Sequence, residues 1–471
     1  MDLIIILVSL LLLMLFAYRG FSLIFIAPVF AVLAAITSDY ASMPVYSELY
    51  MTKAAEYIKS YYPVFLLGAV FAKIMEEGGL AASVAAKIVS LLGRERAVLA
   101  VLLGCGVLTY GGLSVFVVAF VMYPFGAILF KQADIPKRLL PAVLWMGIFT
   151  YSMVSLPGTP QIQNIIPAAV FGTNTWAGIG QGLLASVLFF AIAYVWLTYR
   201  SKSLKAKGEG YGNYLTNEPE ESNEALPDWR LSIVPLVMVV VINLYVSNPF
   251  NWEWAFHWDQ ESLAAFAPLN LSLIAPSVGK VQAIWSINVA LLLSSIVAAW
   301  IGRKKLRRLG GVMHPINFGA VGSTTAVLNV ASGYAFGCVI VALPAFMMVK
   351  EALLGLSVGG SPLFSTIVTT NIMVAVTGSS SAGLMITVAN FGQDWLVWAQ
   401  QIGMSPEVLH RIVCIASEGF DTVPHAGALV TLMAVCGLNH SESYYDVFML
   451  TLMKVCVGFI CLGAYILFGL V

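Results

Sequence analysis

Long apolar runs alternate with polar breaks along most of this 471-residue chain. A helix crosses a bilayer with about 20 residues, and several of the runs approach or exceed that length. These runs cover 3–18, 21–37, 57–77, 177–199, 231–248, 283–302 and 446–470. The first run follows Asp2 rather than a basic residue, and no small-residue cleavage site comes after it. We therefore expect a retained span there rather than a signal peptide.

The remaining apolar runs are shorter and form pairs that Gly, Pro or Ser residues interrupt. The pairs are 97–110 with 114–130, 139–156 with 163–172, 316–333 with 334–350, 362–377 with 380–391, and 407–417 with 426–438. Each pair forms two thin spans, a re-entrant hairpin, or one helix that is broken in its middle. Irregular backbone cannot face lipid, because its N–H and C=O groups would stay unpaired. The breaks must then face protein or a wet cavity, as is typical of transporters.

Composition supports a membrane protein. Hydrophobic residues make up 59% of the chain and charged residues only 10%, whereas soluble domains are about one quarter charged. We predict an all-α polytopic membrane protein with about 11–13 transmembrane helices, including re-entrant hairpins and two broken helices. The lipid bilayer is thus an expected partner. Nucleic acid is not, because 24 basic residues balance 24 acidic ones.

The chain carries few signs of catalytic chemistry. Its six cysteines lie singly in apolar stretches, and its five histidines show no metal-ligand spacing. We therefore expect no metal and no cofactor. A GxxxxGK[ST] loop for ATP is also missing from the sequence, and no GxSxG nucleophile elbow with matching partners appears, so we expect neither an ATP-driven pump nor an enzyme.

Polarity divides the chain into three parts. Residues 1–200 form a first transmembrane half with a broken helix near 157–160, and residues 231–471 form a second half with a broken helix near 377–381. The polar, mixed-charge stretch 201–230 reads as a linker between them. Basic residues near span ends favour the cytoplasmic side, which makes this a cytoplasmic linker. They are Lys131, Lys137, Arg138, Arg200, Lys202, Lys205, Lys207 and the run 303–308.

An internal repeat relates the two broken helices. A shift of 220 residues aligns 153–172 with 373–392 without a gap, and seven of the twenty aligned positions are identical. Both copies break at the same register, with PGTP at 157–160 and TGSSS at 377–381. Paired interrupted segments in two halves indicate a binding site near the middle of the membrane. We expect the two breaks to meet there and hold a small anion.

The two breaks carry the residue types that bind a carboxylate. A glycine unwinds each helix, and the following helix start offers free N–H groups and a positive dipole end. Hydroxyl and amide donors surround these positions. The predicted substrate-binding residues are Gly158, Thr159, Gln161, Asn164, Thr377, Gly378, Ser379, Ser380 and Ser381. The alternative is a pair of small-residue packing contacts between helices.

The segment 417–425 brings three titratable residues into an apolar stretch. They are Glu418, Asp421 and His425, with Pro424 between the last two. A charge at the bilayer centre costs about 2.5–3.5 kcal/mol, so such residues usually mark pathways or proton relays. The flanking runs are short for full spans, which favours a re-entrant tip. We predict a role in proton coupling, with a solvated loop outside the membrane as the alternative.

Other polar positions are weaker candidates. Thr109–Gly112 and Gly322–Thr325 are expected to break other short pairs, more often as hairpin turns than as cavity walls. His314, His410 and His440 are expected near the membrane surfaces, where solvent would surround them.

Four stretches together resemble the gluconate/proton symporter family of bacterial permeases. They are 65–93, LPGTP at 156–160, GSSSAG at 378–383, and FDTVPHAGALVTLMAVCGL at 420–438. The nearest likeness is to members for short hydroxy or keto acids such as hydroxybutyrate. The resemblance implies an inverted-repeat carrier in a bacterial plasma membrane, in which one domain moves against a scaffold that is often dimeric. Where family members for sugar acids tend to carry a His-Pro-Gly-Pro type break, this chain has Ser155–Pro160 without histidine, which favours a smaller acid.

These observations favour a secondary active transporter. The main hypothesis is proton-coupled symport of a small organic monocarboxylate, a short hydroxy or keto acid or a sugar acid, by alternating access. The alternative is a sodium-coupled carboxylate carrier or an ion antiporter on the same scaffold, because unwound carbonyls with Ser and Thr hydroxyls also bind Na⁺. A membrane-embedded enzyme or a structural partner fits less well, because the chain shows no nucleophile–base set.

Overall fold

The computed structural model describes residues 8–13, 15–16, 19, 21–213, 216–219, 225–269, 271 and 274–471, and over these residues the fold is entirely helical. The helices are Leu23–Ile36 (α1), Ser42–Glu77 (α2), Leu80–Leu92 (α3), Ala97–Tyr110 (α4), Val115–Gln132 (α5), Leu140–Ile148 (α6), Ile162–Phe171 (α7), Ile179–Ala206 (α8), Trp229–Ser247 (α9), Gln282–Arg308 (α10), Met313–Ala342 (α11), Pro344–Leu354 (α12), Leu363–Thr377 (α13), Ser380–Gln401 (α14), Pro406–Ala416 (α15), Gly427–Val435 (α16) and His440–Phe468 (α17). Short helical turns link several of them. The prediction of an all-α polytopic membrane protein is confirmed.

Within the described residues, eight helical segments are long and apolar enough to cross a membrane. They are α2, α5, α8, α9, α10, α11, α17 and the segment Lys137–Ser155, which contains α6 and a π-helical turn. The long runs predicted at 57–77, 177–199, 231–248, 283–302 and 446–470 match such helices to within two residues at each end that extends past them. The run 21–37 forms the shorter helix α1, and the run 3–18 lies partly outside the described residues.

Four of the five predicted short pairs break where the sequence places the interruption. Gly111–Ser114 separates α4 from α5, and 156–161 precedes α7. Gly378 and Ser379 separate α13 from α14, and 417–426 separates α15 from α16. Glycine favours the end of a helix, and an N-capping serine favours the start of the next one, so a break such as Gly378–Ser379 needs no long loop.

The fifth predicted break is wrong. Helix α11 runs without interruption through Gly322–Thr325 and through the predicted boundary at 333–334. Ser323 Oγ and Thr324 Oγ1 donate to the carbonyl of Ala320 at 2.7 and 3.1 Å. Hydroxyls that bond back to their own helix need no break. The helix instead ends before Pro344, whose ring starts α12 and cannot continue α11.

The helices pack in two groups along the chain. Helices α2 and α11 pair over much of their length and contact α1 and α10. Their interface contains polar aromatic side chains: Tyr50 donates to the carbonyl of Ser332 at 3.3 Å, and the rings of Tyr57 and Tyr334 lie 5.7 Å apart. The broken segments pack mainly with α8, α15 and α17. The predicted substrate-binding and proton-coupling residues therefore lie in the second group.

The polar stretch between the halves is anchored where the structure describes it. Helix α8 extends to Ala206, six residues beyond the predicted end of the first half. Farther along, Glu209 forms an ion pair with Arg138, and Glu218 forms one with Lys137 at 2.6 Å. Asn217 Nδ2 donates to the carbonyl of Ala434 in α16 at 3.0 Å. The stretch thus ties helix ends of the first half to a helix of the second.

Candidate functional site

The non-helical conformation of the break at 378–379 is stabilised by the residues of the break and by Thr377 beside it. Gly378 ends α13 in the left-handed conformation with φ +60°, which favours glycine. Thr377 Oγ1 donates back to the carbonyl of Met373 at 2.9 Å. Ser379 is the N-cap of α14, and its Oγ accepts from the amide of Ala382 at 3.4 Å. The chain thus restarts as a helix within two residues, with the N-terminus of α14 at the break.

Ser380 connects this break to the segment 417–425. Its buried Oγ donates to Ser417 Oγ at 3.0 Å and to Glu418 Oε1 at 3.3 Å. Ser381 Oγ stays local and lies 3.4 Å from Ser379 Oγ. The second break and the acidic segment therefore form one polar site, although 37 residues separate Ser380 from Ser417.

Two carboxylates share one lysine in this site. Glu418 is 0% exposed and Asp421 is 3% exposed, and both face Lys454 from the middle of α17, which is 1% exposed. The Lys454 ammonium lies 2.5 Å from Asp421 Oδ1 and 3.9 Å from Glu418 Oε2. If all three groups are ionised, the cluster carries one uncompensated negative charge in a buried position. Such a charge is costly unless a cation, a donor or a proton meets it.

Several polar atoms of this cluster have no hydrogen-bond partner among the described residues. They are Glu418 Oε2, Asp421 Oδ2 and Trp145 Nε1; His425 Nε2, beside the second break, is another such atom. The ring of Trp145 stacks on Phe149 with centroids 4.2 Å apart, and the Lys454 ammonium lies 5.9 Å from its centroid. Buried polar atoms of this kind normally find a partner, which makes this cluster a candidate functional site.

His425 lies beside the break rather than within the carboxylate cluster. It is half-buried, and its Cδ2 would lie 2.8 Å from a Cβ atom at Gly378. The segment 417–426 is not helical, so Asp421 and His425 do not share a helical turn. The carboxylate cluster of Glu418 and Asp421 therefore contacts Ser380 through Glu418, whereas His425 lies next to Gly378.

The first break is held mainly by main-chain acceptors. Gly158 has φ +80°, and its amide donates to the carbonyl of Thr175 at 2.9 Å. Buried Thr159 donates to the carbonyl of Ser152 at 2.8 Å. Asn164 Nδ2 donates to the carbonyls of Thr159 and Thr175 at 2.9 and 2.7 Å. Each of these side chains thus satisfies a carbonyl that the unwound backbone exposes.

Gln161 connects the first break to the weaker candidate at 109–112. Its Nε2 donates to the carbonyls of Thr109 and Leu113 at 2.9 and 3.0 Å. The Tyr110 hydroxyl, in the segment 109–112, also donates to the carbonyl of Pro157 in the first break at 2.7 Å. The break before α5 and the break before α7 therefore form one polar region.

Helix α15 lies between the two predicted binding segments. From its middle, His410 contacts Asn164 Oδ1 at 3.2 Å and Thr173 Oγ1 at 2.6 Å, and Arg411 contacts the carbonyls of Val154 and Ser155. Past its C-terminus, Ser417 meets Ser380. Six residues of helix separate Arg411 from Ser417, which is about 9 Å. Among the described residues, no hydrogen bond or ion pair joins 157–160 directly to 377–381.

Sequence reasoning missed four side chains of this region. Lys454 and Trp145 face the carboxylates, and His410 and Arg411 face the first break. His410 is fully buried, so the expectation that solvent surrounds it is wrong. Its two hydrogen-bond partners replace solvent. The available signal was an isolated lysine or arginine inside an apolar helix, since such residues usually face a functional interior.

An apolar cavity lies beside the second break. Its volume is about 150 Å³, and its walls include Thr377, Val376, Met373, Phe336 and Ile386. Three of these residues belong to α13, on the turns just before Gly378. A ligand group held at the break could therefore place an apolar chain next to it.

Comparisons with known proteins place the chain among transporters. It is 40% identical over 484 aligned residues to the uncharacterized transporter YxjC of Bacillus subtilis (strain 168), and the match covers 100% of both chains. No protein-family model matches the sequence.

Two solved structures share the fold. The YdaH transporter of Alcanivorax borkumensis has a TM-score of 0.59 at 15% identity, covering 89% of this chain and 88% of that one. MtrF of Neisseria gonorrhoeae, described with a class of antimetabolite efflux pumps, has a TM-score of 0.52 at 16% identity, covering 88% of this chain and 83% of that one.

Proposed function

This chain belongs to the family of membrane transporters that includes YxjC, and on that premise we propose that it is a proton-coupled symporter of small organic monocarboxylates. The chain is a multi-pass membrane transporter. The coupling ion, the substrate class and the residues that serve them are the proposed part. Resemblance to the gluconate/proton symporter family supports the same assignment, with a short hydroxy or keto acid as the favoured substrate and a sugar acid as the next.

One observation carries the proton coupling. Glu418 and Asp421 are buried together with a single lysine, Lys454, so their ionised cluster has a net negative charge. One proton on either carboxylate would make the cluster neutral and lower the cost of keeping it away from water. Ser380 joins the cluster to the second break, so a change of protonation at Glu418 reaches the binding segment through one hydroxyl.

The second break supports a carboxylate as the substrate. The N-terminus of the 22-residue helix α14 lies there, and the first amides of a helix have no partner within it. Ser379 and Ser381 add hydroxyls beside those amides, whereas the Thr377 hydroxyl donates to the carbonyl of Met373. The apolar cavity next to Thr377 suits a short hydrocarbon chain better than a chain of hydroxyls. A small hydroxy or keto acid combines the two requirements.

A sodium-coupled carrier or an ion antiporter is the second candidate function. Ser380 and Ser417 hydroxyls lie 3.0 Å apart beside Glu418, and oxygen atoms of this kind also coordinate Na⁺. In this alternative, Na⁺ rather than H⁺ would neutralise the carboxylate cluster.

Uptake into proteoliposomes separates the two functions. Vesicles contain a pH-sensitive dye, and hydroxybutyrate, lactate or gluconate is added outside in choline buffer. We expect one of these acids to acidify the interior together with its own uptake, and an inward proton gradient to raise the uptake rate. Uptake that needs sodium and ignores the proton gradient would contradict the proposal and support the alternative.

Cellular location and assembly are further parts of the proposal. Resemblance to the same permease family supports a bacterial plasma membrane and a homodimer. Mass measurement of the purified protein in lipid nanodiscs distinguishes one copy from two, and a single copy with full uptake activity would contradict the dimer.

A further inference from the structure

Arg411 is a fully buried positive charge that the carboxylate cluster does not use. It is 0% exposed and lies in α15, among the helices that surround the first break. An arginine stays charged in proteins, so its guanidinium must be stabilised where it lies. Without partners, a buried charge of this kind would cost several kcal/mol.

Main-chain carbonyls supply that stabilisation. The hydrogen bonds are Nε to Ala177 O at 2.9 Å, Nη1 to Val154 O at 2.9 Å and Ser155 O at 3.2 Å, and Nη2 to Ala177 O at 2.6 Å and Thr175 O at 3.4 Å. A guanidinium has five N–H donors, and five hydrogen bonds are made. No donor remains for a substrate, so Arg411 is a positioning residue rather than a binding one.

The carbonyls come from two unwound segments, not from one helix. Val154 and Ser155 end the π-helical turn Tyr151–Ser155, immediately before the first break. Thr175 and Ala177 lie in the loop that precedes α8. We call these four carbonyls the carbonyl cage. Among the ion pairs of the described residues none includes Arg411, and Glu407, one turn away, is exposed and accepts from the amide of Gly178 instead.

Converging carbonyls of unwound segments are the ligands that broken-helix carriers offer to Na⁺. Here a side chain of the protein occupies that position. We propose that Arg411 is a built-in cation that replaces Na⁺ in the carbonyl cage and makes this break independent of sodium. The inference rests on the proposed function. In that function the transported proton is the exchangeable positive charge, at Glu418 and Asp421, and the Arg411 guanidinium is a permanent positive charge.

The cage is coupled to the predicted binding residues. Thr175 O, which accepts from Arg411, also accepts from the amide of Gly158 at 2.9 Å and from Asn164 Nδ2 at 2.7 Å. Removal of the guanidinium leaves these carbonyls facing one another without a cation. A small cation from solution would then stabilise the break in its place.

The test measures the apparent unfolding temperature of the purified full-length protein in detergent. Arg411→Ala is compared in sodium chloride, choline chloride and guanidinium chloride at one low, non-denaturing concentration. We expect the variant to unfold earlier than the wild type in choline and to gain about 5 °C in sodium or guanidinium. The wild type should show no such difference.

His410→Ala is the matched control. It removes the neighbouring buried side chain, which contacts the side chains of Thr173 and Asn164 and donates to none of the four cage carbonyls. It should lower the unfolding temperature equally in all three salts. If Arg411→Ala does not fold, Arg411→Gln provides the same comparison with a shorter, neutral side chain that still carries N–H donors.

Two results would overturn the inference: Arg411 variants without selectivity for sodium or guanidinium over choline, or a wild type with the same selectivity as the variants. Neither measurement contains a substrate or a pH gradient. Failure of proton-driven uptake would therefore contradict the proposed coupling but not the role of Arg411. Absence of cation selectivity in the Arg411 variants would contradict only the role of Arg411.

Discussion

At the scale of single residues, this protein depends on charges that are buried but compensated. Lys454 faces two carboxylates, whereas Arg411 faces only carbonyls. The two cations therefore have different partners. Under the proposed function, Lys454 balances a charge that changes with protonation, and Arg411 is a constant charge.

The ion pair between Asp421 and Lys454 should be measurable as a stability coupling. Lys454→Met leaves two buried carboxylates without a cation and should lower the free energy of unfolding by about 3–5 kcal/mol, whereas Asp421→Asn leaves Lys454 with Glu418 and should lower it by less. The double variant should lose less than the sum of the two single variants, because without Lys454 the change at Asp421 removes one of two uncompensated carboxylates. Urea or thermal unfolding in detergent gives the three values, and a simple sum of the single effects would show that the pair is not coupled.

Glu418→Gln should separate coupling from transport. A neutral side chain at 418 keeps an acceptor for Ser380 but removes the proposed proton site. We expect uptake driven by a pH gradient to fall at least about tenfold, while exchange of labelled for unlabelled acid across the membrane continues. Glu407→Gln is the control, because Glu407 is an exposed carboxylate near the start of α15, the helix that precedes Glu418. Unchanged gradient-driven uptake in Glu418→Gln would remove Glu418 from the coupling site.

At the scale of elements, short helices and their breaks determine where polar groups meet. The 220-residue shift aligns Gly158 with Gly378, and both have a positive φ. The copies differ after that point: α7 ends at Phe171, whereas α14 continues to Gln401. The repeat thus preserves the break and not the length of the helix that follows it.

Gly378→Ala should destabilise the second break. Its φ of +60° strains any other residue, and the added Cβ would lie 2.8 Å from His425 Cδ2 and 3.1 Å from Ala426 Cα. Gly427→Ala is a matched control in the same hairpin, because no atom lies within 4 Å of its added Cβ. We expect Gly378→Ala to lose about 1–3 kcal/mol of stability and most of the substrate affinity, and Gly427→Ala to lose neither. Equal effects would contradict the close contact.

At the scale of the whole molecule, the described part of the polar linker joins the two halves through side-chain contacts. Asn217 reaches the C-terminal end of α16, which follows the segment of Glu418 and Asp421. Movement of that hairpin during transport would have to stretch or release this contact.

Asn217→Ala should loosen the end of α16. The variant loses the hydrogen bonds to the carbonyls of Ala434 and Val435, and its backbone must keep a φ of +55°. We expect faster amide hydrogen exchange over 432–438, with little change in α17. Asn213→Ala, an exposed asparagine in the same linker, should leave the exchange unchanged. If both variants behave alike, the contact does not hold the hairpin.

Much of this fold follows from local chemistry, which the sequence contains directly. Apolar runs predicted the long helices, and Gly158, Gly378 and the 417–425 segment predicted three breaks, because glycine, proline and N-capping serine act within a few residues. The error at Gly322–Thr325 shows the limit of this reasoning. The same small and hydroxylated residues also fit inside a helix when their hydroxyls bond to the preceding turn.

The sequence by itself determined that this is a helical membrane protein with interrupted helices and with acidic residues inside an apolar stretch, because hydropathy and backbone preference are properties of neighbouring residues. Only the tertiary structure decided which groups compensate those charges. Lys454 lies 33 residues beyond Asp421, and Arg411 lies 257 residues beyond Val154. Such pairs are fixed by how helices pack, since a buried charge is stable only where distant segments bring it a partner.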